Sequence, residues 1–256
     1  MWSMDLEDSV GRIMQAVDYL AAVFPGLGAS EPFLAPRLAA ITRVLNVATN
    51  SILCRQGTEA GVLQWLLEGQ VALWQAGPNM NPAVIDVVQP ITGITVAGGI
   101  LGQAYAITAQ AVAPSRVLEI QAAPFRQMTA SRPALALELM RSISRDSVSA
   151  IWQIVDLKTR KTAERLGHYL LSLVADPDAV SAEYRLPFQK GMLAGKLGCR
   201  QENLSRAFST LREFGVETHG SRVILTNIPA LRAFSGAVQP ADSASVAEAF
   251  SRAFEL

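Results

Sequence analysis

The side chains with the most particular chemistry in this 256-residue chain are Gln201, Glu202, Ser205 and Arg206, within the run Gln189 to Leu211, QKGMLAGKLGCRQENLSRAFSTL. On a helix they share an outward face with Ser209 and Arg212, while Leu204, Phe208 and Leu211 make an i, i+4, i+7 apolar stripe that turns inward. Arg donates two hydrogen bonds to the edge of guanine and Glu accepts one from cytosine, so both types on one helix can read adjacent base pairs in a major groove. A solvated helical hairpin would also carry charges outside, and the flanking residues decide between the two. Gln189 to Leu197 predicts a short first helix, Gly198-Cys199-Arg200 a turn in which Gly198 supplies a positive φ, and Gln201 to about Phe214 a second helix that Ala194 lets cross the first closely. Behind it, Val216 to Leu225 alternates apolar and polar residues on either side of Gly220-Ser221, the pattern of a two-stranded hairpin. A hairpin directly after such a helix is a wing.

With these residues in place, the segment from about Thr162 to Leu231 resembles the DNA-binding domain of the Crp/Fnr family of bacterial transcription regulators. In that family the recognition helix carries Glu-x-x-Ser-Arg or Glu-x-x-Gly-Arg after a Gly-containing turn, matched here by Glu202-Asn203-Leu204-Ser205-Arg206 and by the wing His219-Gly220. Ser205 is similar to the Fnr-type branch, and Gln201 stands where the cyclic-AMP-receptor branch has Arg. The resemblance implies a cytoplasmic homodimer on double-stranded DNA, at a palindromic operator with TTGA-like half-sites, in reach of RNA polymerase. It implies that Glu202, Ser205 and Arg206 read the half-site, with Arg206 on guanine and Glu202 on the paired cytosine, that Lys190 and Arg200 contact phosphates, and that His219 is structural or lies on the phosphate side. Base preference should differ from the cyclic-AMP-receptor branch at Gln201.

The charge distribution supports such a partner. The formal net charge is zero, but residues 160–235 hold eleven Lys and Arg against seven Asp and Glu, whereas residues 1–132 hold seven against nine. The basic surplus sits in the half that would touch phosphates. No run of eighteen apolar residues occurs and the start MWSMDLEDSV is acidic, so neither a membrane span nor a signal peptide is expected. Two cysteines, Cys54 and Cys199, fall short of a disulfide framework and of the four thiolates of an iron–sulfur cluster. Both histidines, His168 and His219, lie in the C-terminal half, which leaves no imidazole for a cupin-type metal enzyme, and no Ser-His-Asp, P-loop or paired-carboxylate motif is present. His168, between Leu166 and Leu170, reads as a packed or half-exposed side chain rather than a ligand.

The elements that position the reading helix begin with an amphipathic helix over residues 9–24, closed by Pro25-Gly26, and a short helical piece around Arg37 to Val44. From there the pattern turns to short β runs: 51–54, 62–67, 71–74, 84–88, 91–96, 105–112 and 116–120, with Glu68-Gly69-Gln70, residues 76–82 and Gly98-Gly99 as turns. Strands at this spacing predict a jelly-roll barrel, which in the family is the effector domain. Cyclic-nucleotide binders there use Gly-Glu and a later Arg for the ribose and the cyclic phosphate. Here Gly93 to Ala106 has no Glu, and no Arg stands between Arg55 and Arg116, so a cyclic phosphate would be buried without a cation and cyclic AMP is not expected.

Pro133 to about Lys158 predicts one long helix. Met140, Ile143, Ser147, Ala150, Ile154 and Leu157 give it an a/d seam for a partner helix, and a second stripe, Leu137, Met140, Ser144, Val148, Ile151 and Val155, would face the barrel. The expected organisation is α+β: an N-terminal helix at 1–23, an effector barrel at 24–132, a dimerisation helix and hinge at 133–160, a winged helix-turn-helix at 161–235, and a tail at 236–256 with a short helix at 246–254. An apolar or weakly polar effector is placed near Trp65, Trp74 and Tyr105. The run Asn203 to Phe208, with Leu211-Arg212 and Gly215-Val216, is similar to nitrogen-oxide regulators of the family, some of which use haem. Without a barrel His, a haem would depend on Cys54, on a methionine such as Met80 or Met128, on an N-terminal group, or on a His of the other domain. The rival of another class is a sensor or scaffold that keeps the fold without binding DNA.

Overall fold

The structure, a computed structural model, describes residues 16–27, 33–76, 82–176, 178–186 and 189–236. The chain divides between Ile154 and Val155 into two compact units. In the first, a helix that includes residues 16–23 (α1) and the helix Leu34–Ala39 (α2) precede eight strands: Thr42–Val47 (β1), Ile52–Cys54 (β2), Val62–Glu68 (β3), Val71–Ala76 (β4), Pro82–Val88 (β5), Thr92–Gly93 (β6), Thr108–Ala111 (β7) and Ser115–Gln121 (β8). They form two antiparallel sheets, in the orders β1-β8-β3-β6 and β2-β7-β4-β5. Each sheet keeps its own edges, so the expected barrel is an open jelly-roll sandwich.

Strand β3 is the centre of this unit. Its residues Leu63 to Leu67 are all buried, because helices cover one face and the second sheet covers the other. Trp65 packs with Phe24 and Phe125 at centroid distances of 5.4 and 6.4 Å, while Leu66 clusters with Cys54, Val71 and Val117. The polar residue in the run is paired: Gln64 donates to Glu119 at 2.9 Å, and Glu119 also takes Arg43 at 2.5 Å.

Three segments differ from the sequence reading. The piece expected to be helical up to Val44 ends at Ala39, and Thr42–Val47 is strand β1, paired with β8 from Thr42↔Ile120 to Val47↔Ser115. Cross-strand pairing outweighs the weak helical pattern there. The strand expected at 91–96 shrinks to Thr92–Gly93, followed by the helix Val96–Leu101 (α3), which ends at Gly102 with φ of 65°. Gly98 and Gly99 are therefore not a turn. A β-carbon on Gly99 would stand 2.8 Å from Leu63 Cγ, so the glycine lets α3 lie directly on β3. Finally, Ala122–Ser131 is a helix (α4) inside the stretch assigned to the barrel.

The long helix is present as Pro133–Thr159 (α5). Its sheet-facing side is not the expected stripe: Leu137, Val148, Ile151 and Val155 are exposed, and Leu135, Glu138, Leu139 and Ser142 are buried. Polar members hid this stripe in the sequence. Both are satisfied, since Ser142 Oγ accepts Trp65 Nε1–H at 3.4 Å and Glu138 accepts the Gly26 N–H at 3.0 Å and pairs with Arg141. The a/d seam, by contrast, is open to solvent at Met140, Ile143, Ile154 and Leu157.

The second unit contains helices Thr162–Ser172 (α6), Lys190–Lys196 (α7), Gln201–Leu211 (α8) and Ile228–Ser235 (α9), and strands Ala182–Arg185 (β9), Val216–His219 (β10) and Arg222–Leu225 (β11) in the order β10-β11-β9. Leu166, Leu170, Leu193, Leu211, Val223, Leu225, Ile228 and Leu231 are fully enclosed. Strand β9 is an addition to the expected two-stranded wing. The N-terminal part of the helix expected at 9–24 and the tail helix at 246–254 lie outside the described residues. Among those described, no helix is long and apolar enough to cross a membrane.

Candidate nucleic-acid interface

The reading helix is set by its turn. Gly198 takes φ of 60°, Cys199 N–H donates back to Ala194 at 2.9 Å, and Arg200 is extended with ψ of 156°, so the chain reverses and restarts as α8 within three residues. Leu204, Ala207, Phe208 and Leu211 bury one side of α8, and Ala194 is buried on α7 beneath it. The opposite side carries Gln201, Glu202, Asn203, Ser205, Arg206 and Ser209, all exposed.

These side chains are in different states of readiness. Among the described residues, neither Glu202 nor Arg206 has an ion-pair partner, although they stand one turn apart. Ser205 Oγ donates to the Gln201 carbonyl at 3.0 Å, which orients its lone pairs outward and leaves it an acceptor. Gln201 leans toward α7: its Nε2 is 3.0 Å from the place a β-carbon on Gly191 would occupy. The Lys190 ammonium sits 5.2 Å over the Phe208 ring, at the mouth between α7 and α8. Arg200 is exposed at the N-cap of α8. Cys199, half-buried in the turn, has its thiol pushed up by burial despite the opposing Arg165 charge.

The wing stands behind α8, which packs on β10. His219 is exposed next to Gly220, with Nε2 3.9 Å from Glu217. Strand β9 brings in residues that the sequence pattern did not single out: Arg222 forms a forked pair with Glu183 at 2.5 and 2.6 Å. The Arg222 guanidinium holds the Glu183 carboxyl below the usual carboxylate range. Residues 182–185 alternate between half-buried and exposed, but four residues are too short a run to mark a strand without the pairing to β11.

Below the recognition unit, the last turn of α5 is tied down by its own set of bonds. Asp156 accepts Arg160 at 2.9 Å and stands 3.2 Å from His168 Nδ1, and Arg160 reaches the carbonyls of Ser235 and, at 2.9 Å, Gly236. His168 is half-exposed, in line with its reading as a packed side chain.

The three effector candidates are not brought together. Trp65 is sealed in the helix-covered cluster. Tyr105 belongs to the cluster between the sheets and donates its hydroxyl to the Val62 carbonyl at 3.0 Å. Trp74 is half-buried on β4, its Nε1 without a hydrogen-bond partner among the described residues. Between Gly93 and Ala106, α3 begins with Val96 and Ala97, and Arg126, which reaches this helix, donates to the Gly99 carbonyl at 2.6 Å. Cys54 is buried, with Sγ 3.5 Å from the Ile107 carbonyl and its thiol pushed up by burial. Met128 packs on the helix-covered cluster, and Met80 lies outside the described residues.

Comparison with known proteins matches this geometry. Residues 44–132 match the cyclic nucleotide-binding domain family and residues 164–234 the Crp-like helix-turn-helix domain family, together more than half of the chain. The transcriptional activator FnrA of Stutzerimonas stutzeri is 29% identical over 164 residues, 60% of this chain and 67% of that protein. The transcriptional activator Anr of Pseudomonas aeruginosa is 27% identical over 180 residues, 66% of this chain and 73% of that protein. Among solved structures, FixK2 of Bradyrhizobium japonicum shares the fold with a TM-score of 0.65 at 17% identity, over 78% of this chain and 100% of that one. The two matched domains, in this order and with the reading helix exposed as described, show that the chain belongs to the Crp/Fnr family of DNA-binding transcription regulators.

Proposed function

We propose that the protein acts as a homodimer that reads a palindromic operator of TTGA-like half-sites, and that its signal is an effector other than a cyclic nucleotide. In each half-site Arg206 takes guanine in two hydrogen bonds, Glu202 accepts from the paired cytosine, and Ser205 and Gln201 refine the neighbouring step, while Lys190, Arg200 and His219 meet phosphates. Its work is binding rather than catalysis, carried out in the cytoplasm and in reach of RNA polymerase. The observation that carries this reading is the pairing state of α8: Glu202 and Arg206 share one exposed face and neither is engaged by another charge among the described residues.

Fluorescence polarisation with a panel of palindromic and random duplexes tests it. A bidentate base contact contributes about 1–3 kcal/mol of discrimination, so Arg206→Ala should lose preference at one base pair, and Lys190→Ala should weaken all sequences alike. Equal losses on specific and random DNA for Arg206→Ala would overturn the assignment. Failure of the wild-type dimer to prefer any palindrome would favour a scaffold that keeps the fold without reading DNA.

A further inference from the structure

By local rules Gly191 is out of place. It stands in the first turn of α7 with an ordinary helical backbone, not the positive φ that calls for glycine at Gly198. Alanine would hold the helix better, because glycine loses more freedom on folding. The missing side chain leaves a notch, and the notch is used. Gln201, the first residue of α8, has its Nε2 3.0 Å from the point a β-carbon on Gly191 would occupy. Apart from α7's own backbone and the chain neighbours, nothing else among the described residues comes within 4 Å of that point.

Gln201 is seated there by packing alone. Its backbone carbonyl accepts Ser205 Oγ at 3.0 Å, whereas its side-chain amide has no hydrogen-bond partner among the described residues. Both Gly191 and Gln201 are exposed, so the amide leaves the notch at little cost. It therefore has two places to be. Turned into the groove it meets adenine in two hydrogen bonds, and turned back it rests over Gly191. The second place decides how strict the reading is. A site rejects the wrong partner chiefly because its own polar groups are then left buried and unpaired. A glutamine that withdraws to an open seat beside solvent escapes that cost.

We propose that Gly191 is a positioning residue for DNA reading. It gives Gln201 a retreat, and so makes the base pair that Gln201 meets a tolerant position, where adenine is favoured and other bases are accepted. The proposal rests on the reading of α8 as the recognition helix. Strict choice stays with Arg206 on guanine, and Gly191 relaxes the step beside it.

The test is fluorescence polarisation of the full-length protein with palindromic TTGA-like duplexes, in which the base pairs flanking the guanine of one half-site are varied one at a time. The readout is the spread of affinities at the position that responds to Gln201→Ala. In the wild type this spread should be about fivefold or less, and Gly191→Ala, then Gly191→Leu, should widen it stepwise to about tenfold or more in favour of adenine. A spread is a ratio, so a uniform loss of affinity leaves it alone. Gly191→Leu combined with Gln201→Ala should stay narrow, which shows that the effect runs through Gln201. Gly191→Ala should melt no lower than the wild type, so a loosened α7 is not the cause. No widening with Gly191→Leu, or widening that survives in the double variant, overturns the proposal. Arg206→Ala on the same duplexes separates the two ideas. If it removes the guanine preference while the Gly191 variants change nothing, the notch falls and the reading of α8 stands. If the wild type prefers no base at any position, both fall.

Discussion

Leu157 Cδ2 stands 2.5 Å from the point where a β-carbon on Gly198 would be, so the last turn of α5 rests on the turn of the helix-turn-helix with no room for even a methyl group. With Asp156 against Arg160 and His168, and Arg165 donating to the Arg160 carbonyl at 2.7 Å, this turn of α5 is part of the second unit's own packing. Gly198 is fixed twice over, by this contact and by its φ of 60°. Gly198→Ala should destabilise the second unit by about 1–3 kcal/mol, from the positive φ alone, and more where Leu157 cannot yield. Chemical denaturation checks this. Adding Leu157→Ala should recover the part due to the clash and leave the part due to φ, and full recovery would mean that strain at φ contributes nothing.

The open seam on α5 gives the second expectation. Met140, Ile143 and Ile154 expose apolar surface at a/d spacing, 56%, 39% and 52% respectively. Ile154→Glu should leave the far-ultraviolet spectrum unchanged and convert a dimer to a monomer in sedimentation at micromolar concentration. Operator affinity should fall with it, since two recognition helices must be held about 34 Å apart to meet both half-sites.

A third expectation concerns acid. Burial alone pushes the Glu138 carboxyl up, but the Gly26 N–H and the Arg141 side chain, with the Arg145 charge, outweigh it and hold the group below its ordinary value of 4.5. A depressed carboxyl contributes stability that is full above the ordinary value and is lost as pH falls through the lower folded value. Unfolding followed between about pH 5 and pH 3 should therefore show a loss of stability in the wild type that is smaller in Glu138→Gln. Equal pH dependence in the two proteins would remove Glu138 from the account.

Cyclic AMP provides a fourth. Val96 and Ala97 begin α3 without a carboxylate, and Arg126 is held on the Gly99 carbonyl. Operator affinity should stay constant on titration with the nucleotide. Coupling between sites is typically about fivefold or more, and by linkage would tighten the nucleotide equally on DNA, so a rise of that size would overturn the reading of the missing Glu and Arg.

The parts legible in the sequence were those with a strong local signal. The α7–α8 turn is marked by Gly198, the wing by alternation around Gly220, and the length of α5 by the absence of internal Pro or Gly. Where long-range packing decides, the local pattern misleads. Thr42–Val47 is a strand because β8 pairs with it, Gly98 and Gly99 lie in a helix that packs on β3 at Leu63 beneath Gly99, and α5 meets the sheet through Glu138 and Ser142, which carry no apolar pattern. The same holds at the site. Glu202, Ser205 and Arg206 are readable as a motif, but the notch at Gly191 exists only through the packing of α7 on α8. Trp65, Trp74 and Tyr105 look alike as aromatic candidates, and only the fold assigns them to separate surroundings.

Strand β3, covered on both faces, sets a hierarchy of lifetimes within the first unit. Its amides between Leu63 and Leu67 cannot meet solvent through any small fluctuation, because either Phe24 and Phe125 or the whole second sheet would have to leave first. Their hydrogen exchange should follow only the complete opening of the unit, while the edge strand β5, exposed or half-buried from Pro82 to Asp86, should exchange by local fraying. The slow side of the sandwich is the one that carries α5, so the helix bearing the open seam is anchored to the most persistent strand, and the fast side is left free to respond.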